Sequence, residues 1–148
     1  MSLEKFIGTW RLLSCEGRNA SDDGDDSQVL RIYGDAPFGQ LMYDDHGNMM
    51  VVLMHPERTS FARGDRSQAA MDEIRAAFNE FNSYCGTYTV DPEQGTVTHH
   101  VKASLIPQWV GVDQLRHFEF AEDRLTLRTP PLPIRGQMWT MALVWERM

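Results

Sequence analysis

Apolar residues recur at every second position along most of this chain, and at helical spacing only once. Alternation over residues 9–16, 29–33, 38–43, 49–55, 84–90, 96–105, 114–120, 124–129 and 138–147 predicts about nine strands. The breaks between them carry turn chemistry: Gly34-Asp35-Ala36-Pro37, Asp44-Asp45-His46-Gly47-Asn48, Asp91-Pro92-Glu93-Gln94-Gly95 and Ala121-Glu122-Asp123. Residues 3–6 read as one helical turn, 17–28 as a long loop, and Pro130-Pro131-Leu132-Pro133 as a stiff connector excluded from any central strand. The exception to alternation is a stripe at Ala70, Ile74, Ala77, Phe78 and Phe81, the apolar face of one helix over about 66–82. Asp65 or Ser67 caps its start, with Gln68 as a capping-box-like partner. Many short strands at this spacing make a sandwich or a barrel.

The first and last strands bear on that choice. Trp10 stands near the start of one and Arg147 at the end of the other. An indole at the base of a closed sheet leaves a face that a guanidinium can cover, while its N–H groups reach backbone carbonyls of the N-terminal turn. Under this reading the termini meet and the sheet closes into a barrel with an interior. The plainer reading makes Trp10 a core residue and Arg147 an exposed terminal charge.

Longer matches run along nearly the whole chain: Phe6-Ile7-Gly8-Thr9-Trp10, Gly39-Gln40-Leu41-Met42-Tyr43 with Gly47, Arg58 and Phe61, and Tyr84-Cys85-Gly86-Thr87-Tyr88. They continue through residues 95–101, 104–111, 116–120 and 125–127 to Leu143-Val144-Trp145-Glu146-Arg147. On these segments the chain resembles the lipocalin-like domain family of the calycin group, small bacterial and fungal proteins. The resemblance implies an all-β fold of one domain over residues 1–148. That fold is an antiparallel up-and-down barrel with one inserted helix around 66–82, and Trp10 and Arg147 fill its closure roles. The acidic stretch at 19–28, with Asp22, Asp23, Asp25 and Asp26, has no counterpart and reads as a solvated loop. The family shares a barrel more than a reaction, so function rests on the site.

Side-chain alternation sorts the strands into two faces. After Gly95, Val97, His99, Val101, Ala103 and Leu105 share the apolar, inner face, and Thr98, His100, Lys102 and Ser104 the outer one. Gln114, Arg116, Phe118 and Phe120 share the next inner face, unless that strand slips by one residue and inverts. Tyr84, Gly86, Tyr88 and Val90 form another inner set, and Leu41 and Tyr43 a fourth. The expected lumen thus holds His99, Arg116, Tyr43, Tyr84 and Tyr88 among apolar residues such as Phe118, a small-molecule pocket with a few convergent polar groups. Trp109 flanks the mouth or plugs one end. A buried guanidinium needs a partner, and no acid shares the face of Arg116. A ligand carboxylate, enolate or carbonyl would serve, as would tyrosine hydroxyls, backbone carbonyls or water.

Composition narrows the partners. With 21 acidic against 14 basic residues, a net charge of −7 argues against nucleic acid and anionic membranes. No apolar run reaches the ~20 residues of a membrane span. The N-terminus lacks a basic and then apolar leader, so a cytoplasmic location is expected. Cys15 and Cys85 fit no zinc spacing and are expected to stay reduced. Adjacent His99 and His100 point to opposite faces and cannot share a metal; no metal and no cofactor is expected.

Three functions fit. The leading one is a binder of a small, mostly hydrophobic molecule whose one polar or acidic group is held by Arg116 and His99. The alternative is a cofactor-free isomerase, cyclase or dehydratase of small-molecule or natural-product metabolism. There His99 is the acid or base, and Tyr88 or Arg116 stabilises an enolate. The third is a solid barrel serving as an interaction module. Composition leaves monomer and homodimer equally open.

Overall fold

A computed structural model describes residues 3–20 and 28–148. The Asp22–Asp26 cluster lies outside the described residues. Ten strands form one antiparallel sheet: β1 (Gly8–Asn19), β2 (Val29–Leu30), β3 (Phe38–Tyr43), β4 (Asn48–Met54), β5 (Phe81–Asp91), β6 (Thr96–Ser104), β7 (Asp113–Ala121), β8 (Arg124–Arg128), β9 (Leu132–Ile134) and β10 (Gln137–Arg147). The sheet closes where β1 pairs with β10, from Trp10 opposite Arg147 to Asn19 opposite Trp139. Eight strands make the barrel, and the stubs β2 and β9 extend its edges. The helix α1 (Met71–Asn79) interrupts the connection between β4 and β5.

Alternation produced these strands as expected: β3 is strictly exposed then buried, with Gly39, Leu41 and Tyr43 inside. Several boundaries moved, and each did so through pairing. The first strand runs to Asn19 because β10 continues alongside it. Of the strand expected at 29–33 only Val29 and Leu30 pair, opposite Arg18 and Gly17. Part of the proline connector is the edge strand β9, where Pro133 lies opposite Met138 and its missing N–H breaks no central ladder.

The helix is also shorter than the expected 66–82. Residues Arg66–Gln68 make a separate 3₁₀ turn capped by the Asp65 carboxylate, which accepts from the Ser67 backbone N–H at 3.0 Å. Extended backbone at Ala69 and Ala70 separates it from α1. The Gln68 side chain plays no part in that cap; its Oε1 accepts from Arg63. Phe81 belongs to β5, opposite Met54. None of the helix is buried, and Ile74 and Phe78 remain exposed.

The inner-face assignment fails at one end of β6. Cys85 pairs with Ala103 but Gly86 pairs with Val101, so Lys102 is an extra residue, a bulge. Past it the faces exchange: Ala103 is exposed, and Ser104 lies opposite the inward Tyr84. Gly86 permits the bulge, since a Cβ there would stand 1.9 Å from the His100 carbonyl oxygen.

One end of the barrel is plugged. The 3₁₀ turn Leu3–Lys5 drops Phe6, fully buried, onto Tyr43, Phe118 and Phe120 in edge-on contacts at 5.5, 5.0 and 4.9 Å. Trp10 packs beside them and donates its indole N–H to the Phe6 carbonyl at 2.9 Å. Arg147 covers the other face of Trp10, as the closure reading requires.

Candidate functional site

Above the plug the barrel holds a cavity of about 390 Å³. Its wall is mainly apolar: Leu41, Val51, Leu53, Leu127, Met141 and Leu143 project from four strands, β3, β4, β8 and β10. Ile32 and Tyr33, the loop residues Ile106, Gln108 and Trp109, and Leu132–Ile134 of β9 surround the opposite end. Gln108 and Pro133 are exposed there, which makes this end the mouth. A void of this size excludes the solid-barrel reading.

The polar groups gather on one side. His99 points inward from β6 and is 2 % exposed. Its Nε2 lies 2.6 Å from the Tyr43 hydroxyl and its Nδ1 2.6 Å from the Tyr84 hydroxyl. Burial, aided by the positive charge of Arg116, holds the imidazole neutral, with a pKa lowered to about 3. Burial raises the pKa of both tyrosines; at Tyr84 the charge of the Arg116 guanidinium pulls the other way. Both phenols stay protonated.

Arg116 faces inward from β7, as alternation predicted, and is 8 % exposed. One N–H donates to its neighbour's carbonyl, Leu115 O, at 2.8 Å, and its charge acts on Tyr84, Tyr43 and His99. Among the described residues no carboxylate pairs with it. A cation is therefore held in an apolar wall with neutral partners only.

The expected site residues separate into two groups. His99, Arg116, Tyr84 and Trp109 line the cavity; Trp109 sits at the mouth, edge-on to Tyr84 at 5.7 Å. Tyr43, Tyr88 and Phe118 do not line it. Tyr43 stands behind His99, Phe118 is in the plug, and Tyr88 donates its hydroxyl to the Asp44 carbonyl at 2.8 Å. Alternation gave their face correctly, but they lie too far toward the closed end. The acid–base role expected for His99 does not fit either. Its ring nitrogens are both engaged by tyrosines, and its basicity is far below neutrality.

Several wall residues escaped sequence reasoning. The apolar pattern puts Asn82 at the end of the helix and Tyr33 in a strand, and neither position points to a cavity wall. Trp145 could have been found, since Trp139, Met141, Leu143 and Trp145 alternate along β10. The indole N–H of Trp145 and the Oδ1 of Asn82 are buried without a hydrogen-bond partner. Cys15 also lines the wall, its thiol pushed by burial up to about 12 and so unreactive. Both cysteines are free. His100 faces outward, between Thr89 and Asp113. Among the described residues no cluster of three or more side chains is arranged to hold a metal, and no helix is long and apolar enough to cross a membrane.

A closed eight-stranded antiparallel barrel with an apolar internal cavity and a plugged base defines a lipocalin-type protein. Residues 7–148 match the lipocalin-like domain family, and the chain belongs to it. Comparison with curated proteins gives no match. Among solved structures the chain is similar to a lipocalin-like protein from Bacteroides uniformis, at 10 % identity over 97 % of this chain and 99 % of that one, with a TM-score of 0.46.

Proposed function

We propose that this protein binds a small, mostly apolar molecule inside the barrel and holds its one polar or acidic group at Arg116. The observation that carries this reading is the guanidinium itself, buried in the cavity wall with no carboxylate paired to it among the described residues. Desolvating a cation costs free energy that neutral partners offset only in part. A ligand with an acceptor group recovers that cost on binding, and its apolar body takes up the rest of the cavity. The volume lies within the range of about 300–1,000 Å³ usual for small-molecule sites.

Titration with 8-anilinonaphthalene-1-sulfonate, an apolar fluorophore bearing one anionic group, tests this reading. The wild type is expected to bind one equivalent, and Arg116→Ala to bind at least about tenfold more weakly while retaining cooperative unfolding. Absence of saturable binding, or equal affinity in the two proteins, would overturn it.

A further inference from the structure

The polar side of the cavity has a defined direction of hydrogen bonding. A neutral imidazole has one donor nitrogen and one acceptor nitrogen. Of the two tyrosines on His99, one therefore donates to the ring and the other accepts from it. Tyr43 is buried away from the cavity, and His99 Nε2 is its only hydrogen-bond partner among the described residues. If Tyr43 accepted from Nε2–H, its own hydroxyl proton would be buried with nothing to receive it. Tyr43 must then donate to Nε2, which places the ring proton on Nδ1, directed at the Tyr84 oxygen.

Tyr84 is the member of this chain that reaches the cavity. Its oxygen accepts from Nδ1–H, and the positive charge of Arg116 acts on it. With that ring nitrogen a donor, its own O–H has no acceptor among the described residues and is free to donate. The ring N–H aimed at it and the positive charge of Arg116 polarise the phenol and strengthen it as a donor. The wall thus presents an O–H beside a guanidinium, a pair that suits an anionic oxygen and not an amine.

Resting on the cavity-binding reading above, we infer that the ligand is a small hydrophobic carboxylic acid, bound as the anion, whose carboxylate is held jointly by Tyr84 O–H and Arg116. His99 is a positioning residue that transmits the orientation of Tyr43 to Tyr84 and does not touch the ligand. The alcohol of the same chain length lacks the negative charge and is the poorer ligand.

Calorimetric titration with octanoate and with octan-1-ol, combined with nitrogen-15 NMR of His99, tests the assignment. In the wild type the proton is expected on Nδ1, and octanoate is expected to bind at least about tenfold more tightly than octan-1-ol. Tyr84→Phe is expected to lose about tenfold or more for octanoate and less for octan-1-ol. His99→Gln, which keeps a donor and an acceptor, is expected to retain most of the octanoate affinity that His99→Phe loses. The NMR measurement needs no variant, so a misfolded substitution does not shield the inference. A proton on Nε2, equal affinities for acid and alcohol, or a Tyr84→Phe protein with unchanged octanoate binding would overturn it. Failure to bind octanoate while the sulfonate dye still binds in an Arg116-dependent way ends the carboxylate assignment alone. If the dye fails as well, the cavity reading falls with it.

Discussion

Arg147 lies over the ring of Trp10, its guanidinium carbon 4.2 Å from the ring centroid. Its N–H groups donate to Ile7 O at 2.7 Å and to Lys5 O at 2.5 Å. One side chain from the last strand thus fastens both the first strand and the turn that carries Phe6. Gly8 makes room for it, since a Cβ there would come within 2.8 Å of Nη1. Trp10→Ala removes a fully buried indole and is expected to cost about 3–5 kcal/mol. Arg147→Ala, at an exposed site, is expected to cost about 1–2 kcal/mol through two hydrogen bonds and the cation–π contact. Urea unfolding measures both. A double variant less destabilised than the sum of the singles is the sign of the contact.

The bulge opposite Gly86 sets the second prediction. A methyl group at that position meets backbone, the His100 carbonyl at 1.9 Å, and no side chain can move aside to relieve the clash. Gly86→Ala must therefore separate β5 from β6 or remove the bulge at Lys102. Overpacking against flexible neighbours costs about 1–3 kcal/mol; here the loss is expected at or beyond the top of that range. Because Tyr84 and His99 lie on these two strands, octanoate binding is expected to weaken with it. A Gly86→Ala protein of wild-type stability in urea would show that the bulge is not a fixed feature.

Much of this was legible in the sequence for a plain reason. Period-two alternation reports which face a side chain takes, and that sufficed to turn His99, Arg116, Tyr84 and Tyr43 inward. It carries no information about depth along the barrel axis, which depends on strand tilt and register. Alternation alone therefore puts Tyr88 and Phe118 in a cavity that lies above them. Nor does alternation survive an inserted residue: past Lys102, Ala103 turns out and Ser104 turns in. The end of the helix is ambiguous in the sequence because Phe81 fits the helical stripe as well as it fits a strand, and pairing with Met54 decides between the two. The tyrosine–histidine chain is a contact between three strands, and no spacing within any one of them announces it.

His99 should leave a mark on stability as pH is lowered. In the unfolded chain a histidine titrates near 6.5; in the barrel its pKa is lowered to about 3. Between those values the unfolded state binds a proton that the folded state excludes, so stability falls as pH falls. Above 6.5 the imidazole is neutral in both states and the effect vanishes. The slope is about 1.4 kcal/mol per pH unit, which gives about 2 kcal/mol between pH 6.5 and 5, before most carboxylates begin to titrate. Urea midpoints across this window are expected to fall more steeply for the wild type than for His99→Gln. Parallel curves would mean that the ring is protonated in the folded protein.

Arg116 places function and stability in opposition. Its guanidinium is buried against an apolar wall with a backbone carbonyl and a phenol for company. Replacing buried charges by apolar side chains of similar shape is often neutral or stabilising by about 1–4 kcal/mol. Arg116→Met removes the charge, along with the hydrogen bond to Leu115 O. The ligand-free variant is expected to be about 1–2 kcal/mol more stable than the wild type, and to lose most of its affinity for octanoate. Saturating octanoate then reverses the order, because only the wild type gains from binding. Thermal unfolding with and without the acid reads both halves in one experiment. A variant less stable than the wild type in the absence of ligand would show that Arg116 is a structural residue satisfied by its neighbours, and that its charge does not wait for a partner.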